Sequence, residues 1–209
     1  MKKIASLMIL LLVLSMSTFA SNPLRFGLEA GVNFSKIKSY DFKYITSFKI
    51  GAKTEYLLPM TKASHFMLTS GLFLTEKGGK VDDVVDLRLN AFYLEIPLHV
   101  GYKQRLSSSF NLLAEFGPYV AYGLFGKTTQ DAYPNQDGGI TAREKYDTFD
   151  ALKRFDMGLG LKFGIEYDDC WQLSWGFDCG LMKAVKEING NSISKGQNFN
   201  TYLSLGYMF

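Results

Sequence analysis

Few groups in this 209-residue chain could act as bases, nucleophiles or metal ligands: two histidines, two cysteines and twenty carboxylates. His99 follows Glu95 by four positions, and a Glu–His pair can serve as a general base. That chemistry needs a Ser or Cys nucleophile beside it, and local spacing supplies none. His65 falls in a connecting segment. Cys170 and Cys179 lie on one extended stretch on opposite faces, about 30 Å apart, which is beyond disulfide reach. They read as free thiols. Asp131, Asn135 and Asp137-Gly138 loosely suggest a calcium loop but miss its alternating ligand positions, so turn chemistry is the better account. No Walker loop, GxGxxG or HExxH occurs. The expectation is a protein without cofactor, metal site or enzymatic activity.

The remaining ionisable groups share one pattern. Arg25, Glu29, Lys49, Lys53, Glu55, Glu95, His99, Glu115, Asp156, Lys162, Glu166 and Asp178 all interrupt apolar stretches at alternate positions. Over 24–34, Phe26, Leu28, Ala30, Val32 and Phe34 share one face, opposite Arg25, Gly27, Glu29, Gly31 and Asn33. This is the period-two signal of a strand with two unlike faces. Segments 48–56, 66–75, 92–102, 110–122, 155–167, 171–181 and 198–209 repeat it, which makes eight. If the polar face points inward, the twelve residues above form one interior network, because mixed charges in a narrow barrel must pair.

Two observations orient the faces. The strand glycines, among them Gly27, Gly51, Gly117, Gly158, Gly176 and Gly206, lie on the polar face, where a narrow lumen needs small residues beside large ones. Aromatic residues cap the apolar face at both ends. One end carries Phe26, Tyr56, Phe66, Tyr102, Phe110, Tyr167, Trp171 and Phe209; the other carries Phe34, Phe48, Phe92, Tyr122, Phe155 and Phe199, with Leu74 and Leu181 where the pattern lapses. Strands tilted by about 40° between such girdles span roughly 20–30 Å, the height of an outer-membrane apolar band. The expected fold class is therefore all-β: an eight-stranded antiparallel up-and-down transmembrane β-barrel whose apolar face meets outer-membrane lipid. A periplasmic lipocalin-like carrier, with the apolar face inside, is the alternative.

Connections 57–65, 103–109 and 168–170 are short, as periplasmic turns are. Connections 35–47, 75–91, 123–154 and 182–198 are longer, as extracellular loops are. Pro97 and Pro118 fall inside strands of a barrel that has no free edge, so a bulge or a locally open ladder is expected beside them.

The N-terminus reads as an address. Lys2 and Lys3 precede the apolar run Ile4 to Leu14, and Thr18-Phe19-Ala20 sets small residues before a cut at Ser21. The run is shorter than the ~20 residues a spanning helix needs. Residues 1–20 are thus expected to be a signal peptide, and 21–209 a single barrel domain. The formal charge of +3 falls to +1 without the two leader lysines, leaving no basic face for nucleic acid.

Several segments taken together carry a resemblance. Tyr93-Leu94-Glu95-Ile96-Pro97-Leu98, Glu115-Phe116-Gly117-Pro118-Tyr119 and Phe155-Asp156-Met157-Gly158-Leu159-Gly160 stand in order along the chain. Gly71-Leu72-Phe73, Lys77-Gly78-Gly79-Lys80 and the closing Leu203 to Phe209 extend them. In this order and spacing they resemble the outer-membrane β-barrel family that includes the PorT secretion protein. The resemblance covers nearly all of the chain after the leader, includes both prolines, and implies an eight-stranded barrel with little chemistry of its own. Gly206, Tyr207 and Phe209 resemble the terminal signal read by barrel-assembly machinery, and they also suit a last strand ending on a girdle aromatic. The functional expectation is a structural or interaction platform whose surface or secretion partner meets loop 123–154. Small-solute or lipid transport is the alternative.

Overall fold

The structure is a computed structural model that describes residues 23–38, 42–59, 63–82, 86–131, 143–186 and 196–209. The leader 1–20 and loop residues Asn135, Asp137 and Gly138 lie outside the described residues. Among those described, nine strands form: β1 (Leu24–Ile37), β2 (Ile45–Pro59), β3 (Ser64–Asp82), β4 (Asp86–Arg105), β5 (Phe110–Asp131), β6 (Arg143–Asp147), β7 (Phe155–Tyr167), β8 (Trp171–Lys183) and β9 (Gln197–Met208). A one-turn helix, α1 (Thr148–Ala151), follows β6.

Eight of these strands close a ring. Each pairs antiparallel with its sequence neighbours, β5 passes directly to β7, and β9 returns to β1 with Leu28 opposite Tyr207 and Phe34 opposite Thr201. β6 stands outside the ring, paired with β5 alone over Lys127–Asp131.

The barrel wall is inverted relative to a soluble domain. Leu98, Val100, Phe116, Trp175 and Leu203 are all more than half exposed, while Glu55, Lys77 and Glu166 are completely buried. A water-facing surface of this kind would aggregate; around a lipid-embedded barrel it is the expected wall. A lipocalin-like arrangement, which requires the apolar face inside, is therefore not what the chain builds. Aromatic contacts ring one end: Phe66 with Tyr102 at 5.8 Å, Phe110 with Tyr167 at 5.1 Å and Trp171 with Tyr207 at 4.9 Å.

The strands run well beyond the boundaries expected from the aromatic girdles. β3, β4 and β5 have 19, 20 and 22 residues, whereas a tilted crossing uses about 9–11. Much of the intervals 75–91 and 123–154 is thus hairpin, not loop. The girdle marks where lipid ends, but backbone pairing continues into water because neighbouring strands go on satisfying each other's N–H and C=O groups.

The ladder lapses beside both prolines. Pairing of β3 with β4 skips from Ser70–Leu98 to Phe73–Glu95, and pairing of β4 with β5 skips from Pro97–Tyr119 to Val100–Phe116, both without a shift of register. Ser70 Oγ donates to the Pro97 carbonyl at 2.9 Å. The register shift between β4 and β5 lies higher, at Phe92/Tyr93.

An apolar cluster closes the barrel at its long-hairpin end. Phe149 and Leu152, carried by and just after α1, pack with Ile37, Leu89, Ala91, Tyr93, Tyr119 and Ala121. Asp147 caps α1 by accepting from the Phe149 N–H at 2.9 Å. A bridge between Leu152 and Val185 ties the segment to the strand-β8 side. Glycine is required at position 123, where a Cβ would collide with the Phe149 ring.

Candidate functional site

The ring turns every second side chain inward, and the ionisable ones stack in three levels beneath the apolar cluster. At the short-turn end, Arg25 Nη1 lies 3.1 Å from both Glu55 Oε2 and Glu166 Oε2. Lys103 Nζ approaches Glu166 Oε1 at 2.7 Å. Gln172 Nε2 donates to both carboxylates, at 2.8 and 2.6 Å, and Asn111 donates to Glu166 and to Asp169. Asp168 and Asp169 carry φ of 49° and 56° in the turn between β7 and β8. Such values suit a tight hairpin turn, and the turn is held by Arg25, from the lumen, on the Asp169 carbonyl and by the exposed Arg105 on the Asp169 carboxylate.

In the middle level, Lys53 Nζ contacts Glu55 at 3.0 Å and Glu29 and Glu115 at 3.8 Å. Lys162 contacts Glu115 at 3.1 Å and Glu29 at 3.4 Å. Thr69 Oγ1 donates to Glu115 at 2.8 Å and Ser204 Oγ to Glu29 at 2.9 Å. His99 Nδ1 lies 3.7 Å from Glu115 Oε2. The expected partner Glu95 is occupied elsewhere, because residues four apart on a strand point the same way at different heights. The His99 contact is instead made across the ladder.

The upper level holds Glu95 between Lys49 at 2.8 Å and Lys77 at 2.7 Å. Lys77 also reaches Asp156 at 3.1 Å, and Lys49 reaches Asp178 at 3.7 Å. Tyr119 and Asn198 donate to Asp156. Lys77 lies 4.3 Å from the Tyr119 ring centroid and Lys49 4.3 Å from that of Tyr202. Gly176 is needed beneath Tyr202, since a Cβ there would meet the ring.

All twelve residues singled out from the sequence point into this network, and each of its carboxylates has a cation within 4 Å. The structure adds Lys77, Lys103, Asn111, Tyr119, Gln172 and Tyr202 to them. Lys77 and Lys103 lie past the girdles, within the connections 75–91 and 103–109 that the sequence predicts. Continuing the odd-numbered parity of Thr69, Gly71 and Thr75, or of His99 and Gly101, places both inside. His65 belongs to β3, not to a turn, and borders an open cavity of about 280 Å³ with Arg25, Lys103 and Asn111.

The middle level is tightly filled. Space among Glu29, Lys53, His99, Glu115 and Lys162 amounts to about 10 Å³, room for one water at most. Among the described residues no group of three or more His, Cys, Asp or Glu side chains is placed to hold a metal ion. Cys170 sits in the turn before β8, Cys179 on the wall of β8, and both thiols are free. Gly206, Tyr207 and Phe209 lie at the closing seam, where Tyr207 pairs with Leu28 and with Trp171 and the Phe209 N–H donates to the Phe26 carbonyl. The geometry is that of a plugged barrel.

The chain is similar to the attachment invasion locus protein Ail of Yersinia pestis, at 12% identity over 89% of this chain and 97% of that one, with a TM-score of 0.42. It is also similar to Neisserial surface protein A, at 13% identity over 88% and 95% with a TM-score of 0.45, and to OprG of Pseudomonas aeruginosa, at 13% over 89% and 94% with a TM-score of 0.35. No curated protein matches the chain. The family model described as an outer membrane protein beta-barrel domain matches residues 17–186, most of the sequence, and the chain belongs to that family.

Proposed function

We propose that this outer-membrane barrel is a non-conducting, non-enzymatic platform that presents its long hairpins to partners outside the cell. The observation that carries this reading is the double closure of the lumen. Three levels of paired charges fill it, and Phe149 and Leu152 cover the hairpin end. An eight-stranded barrel filled by its own side chains has no path for a solute, which disfavours the transport alternative. In this reading residues 1–20 direct export, Gly206, Tyr207 and Phe209 present the last strand to the assembly machinery, and lipid surrounds the wall.

The partner surface falls on the β5–β6 hairpin within 123–154, where Lys145 and the half-exposed Tyr146 stand clear of the ring. A surface or secretion partner, as the likeness to PorT-type barrels suggests, would meet this hairpin. A photocrosslinking residue at Lys145 or Tyr146 in intact cells should give discrete protein adducts, while the same residue at lipid-facing Leu112 gives none. Absence of adducts at both hairpin positions would contradict the platform reading.

A further inference from the structure

Among the described residues, the lipid-facing wall carries no charged side chain between its two girdles. The first ones met on leaving the apolar band at the hairpin end of β3, β4 and β5 are Glu76, Arg88 and Lys127. They border a groove of about 570 Å³ floored by Phe92 and Phe125, whose rings stack at 4.7 Å and 26°. Phe48 extends this floor at 5.8 Å from Phe92.

Register fixes the heights. Phe92 is opposite Phe125, Asn90 opposite Lys127, and Arg88 opposite Thr129. The two cations therefore stand one and two outward steps above the rings, roughly 7 and 14 Å along the strands. At a strand tilt of about 40° these are heights of about 5 and 10 Å above the rings, so that Lys127 stands within the headgroup layer, about 5–7 Å thick, and the long Arg88 side chain reaches it from the outer border.

The groove is built to hold Arg88 in place. Asn90 Nδ2 donates to Glu76 Oε1 at 2.6 Å, and Asn90 Oδ1 accepts from Arg88 Nε at 3.1 Å. The Glu76 carboxylate is thus engaged and nearly buried, while the four remaining N–H donors of the guanidinium stay available. Lys127 is held through its backbone between Asn90 of β4 and Asp147 of β6, while its ammonium group is exposed and makes no hydrogen bond or ion pair among the described residues.

We infer that this groove is a binding site for the phosphate-bearing headgroup of an anionic membrane lipid. Arg88 supplies a planar donor pair for phosphate oxygens and Lys127 a second positive charge. The apolar chains of the same lipid lie along Phe92 and Phe125. A zwitterionic lipid would bring its own cation against Arg88 and Lys127, and free phosphate would leave the aromatic floor unused. The inference goes beyond the platform reading, because it concerns the wall and not the hairpin tips; it shares with that reading the outward direction of the hairpin end.

The test uses the folded full-length barrel in neutral detergent, with native mass spectrometry against phosphatidic acid, phosphatidylcholine of the same chains, and inorganic phosphate. Phosphatidic acid should be retained one to one and in preference to phosphatidylcholine, with inorganic phosphate a poor competitor. R88Q/K127Q should weaken its binding by about tenfold or more, as expected for loss of charge-assisted hydrogen bonds. K127Q alone, which removes no protein contact, should weaken it in the same direction. R105Q, an exposed cation at the opposite end, should leave it unchanged. Equal retention of phosphatidylcholine, full affinity in R88Q/K127Q, or equal competition by inorganic phosphate would overturn the inference. Any of these, in a barrel that still folds and still gives hairpin adducts, would leave the platform reading standing.

Discussion

Lys77 shows what a single side chain does in this lumen. Its ammonium group is completely buried, bonded to Glu95 and Asp156, and lies over the Tyr119 ring. A buried charge cluster adds little net stability over an apolar packing, but removing one partner strands the others without solvent. K77M should therefore destabilise the folded barrel by about 3–5 kcal/mol in urea unfolding from lipid vesicles. Thr69 offers a neutral counterpart: T69V keeps the shape and removes one hydroxyl donor from Glu115, for an expected loss of about 1–3 kcal/mol by the same measurement. Lys77 also marks where reading by sequence alone stops. Its neighbours Glu76, Gly78, Gly79 and Lys80 include no apolar side chain, so the contrast between faces disappears just where the strand leaves the lipid.

At the scale of elements, the alternation was legible wherever one face meets lipid and the other meets charge. Over 155–167 every second residue is apolar and every other one is Gly, Asp, Lys or Glu, and β7 follows those limits. The lid over the hairpin end could not be read in the same way. Thr148–Ala151 is a single helical turn with no periodicity to detect, and it is set in place by tertiary contacts. Phe149 lies 5.7 Å from Tyr93 ring to ring, Arg154 covers Phe149 at 4.4 Å, and Arg154 donates to the Gly123 and Leu124 carbonyls. Because a side chain at position 123 would strike the Phe149 ring, G123A should displace this segment. Trypsin should then cut after Lys153 or Arg154 faster than in the parent protein, with the barrel below left intact. An unchanged cleavage rate would show that the lid does not depend on that contact.

On the scale of the whole molecule, two closures act in series. F149A should loosen the upper one at a cost of about 3–5 kcal/mol, the usual range for emptying a packed aromatic site. The charged levels beneath would still fill the lumen, so the variant should remain non-conducting. The twelve inward residues were legible as a set because a narrow lumen admits mixed charges only when they pair. Which residue pairs with which was not, since His99 meets Glu115 and not Glu95 only through the register of separate strands. The most direct measurement of the central claim is single-channel recording of the purified barrel, with F149A beside it, in planar bilayers. A plugged barrel predicts that both insert, migrate faster unboiled than boiled on a denaturing gel, and show no stepwise conductance. Regular conductance steps from the parent protein would mean that the lumen is open and that transport, not presentation, is its function.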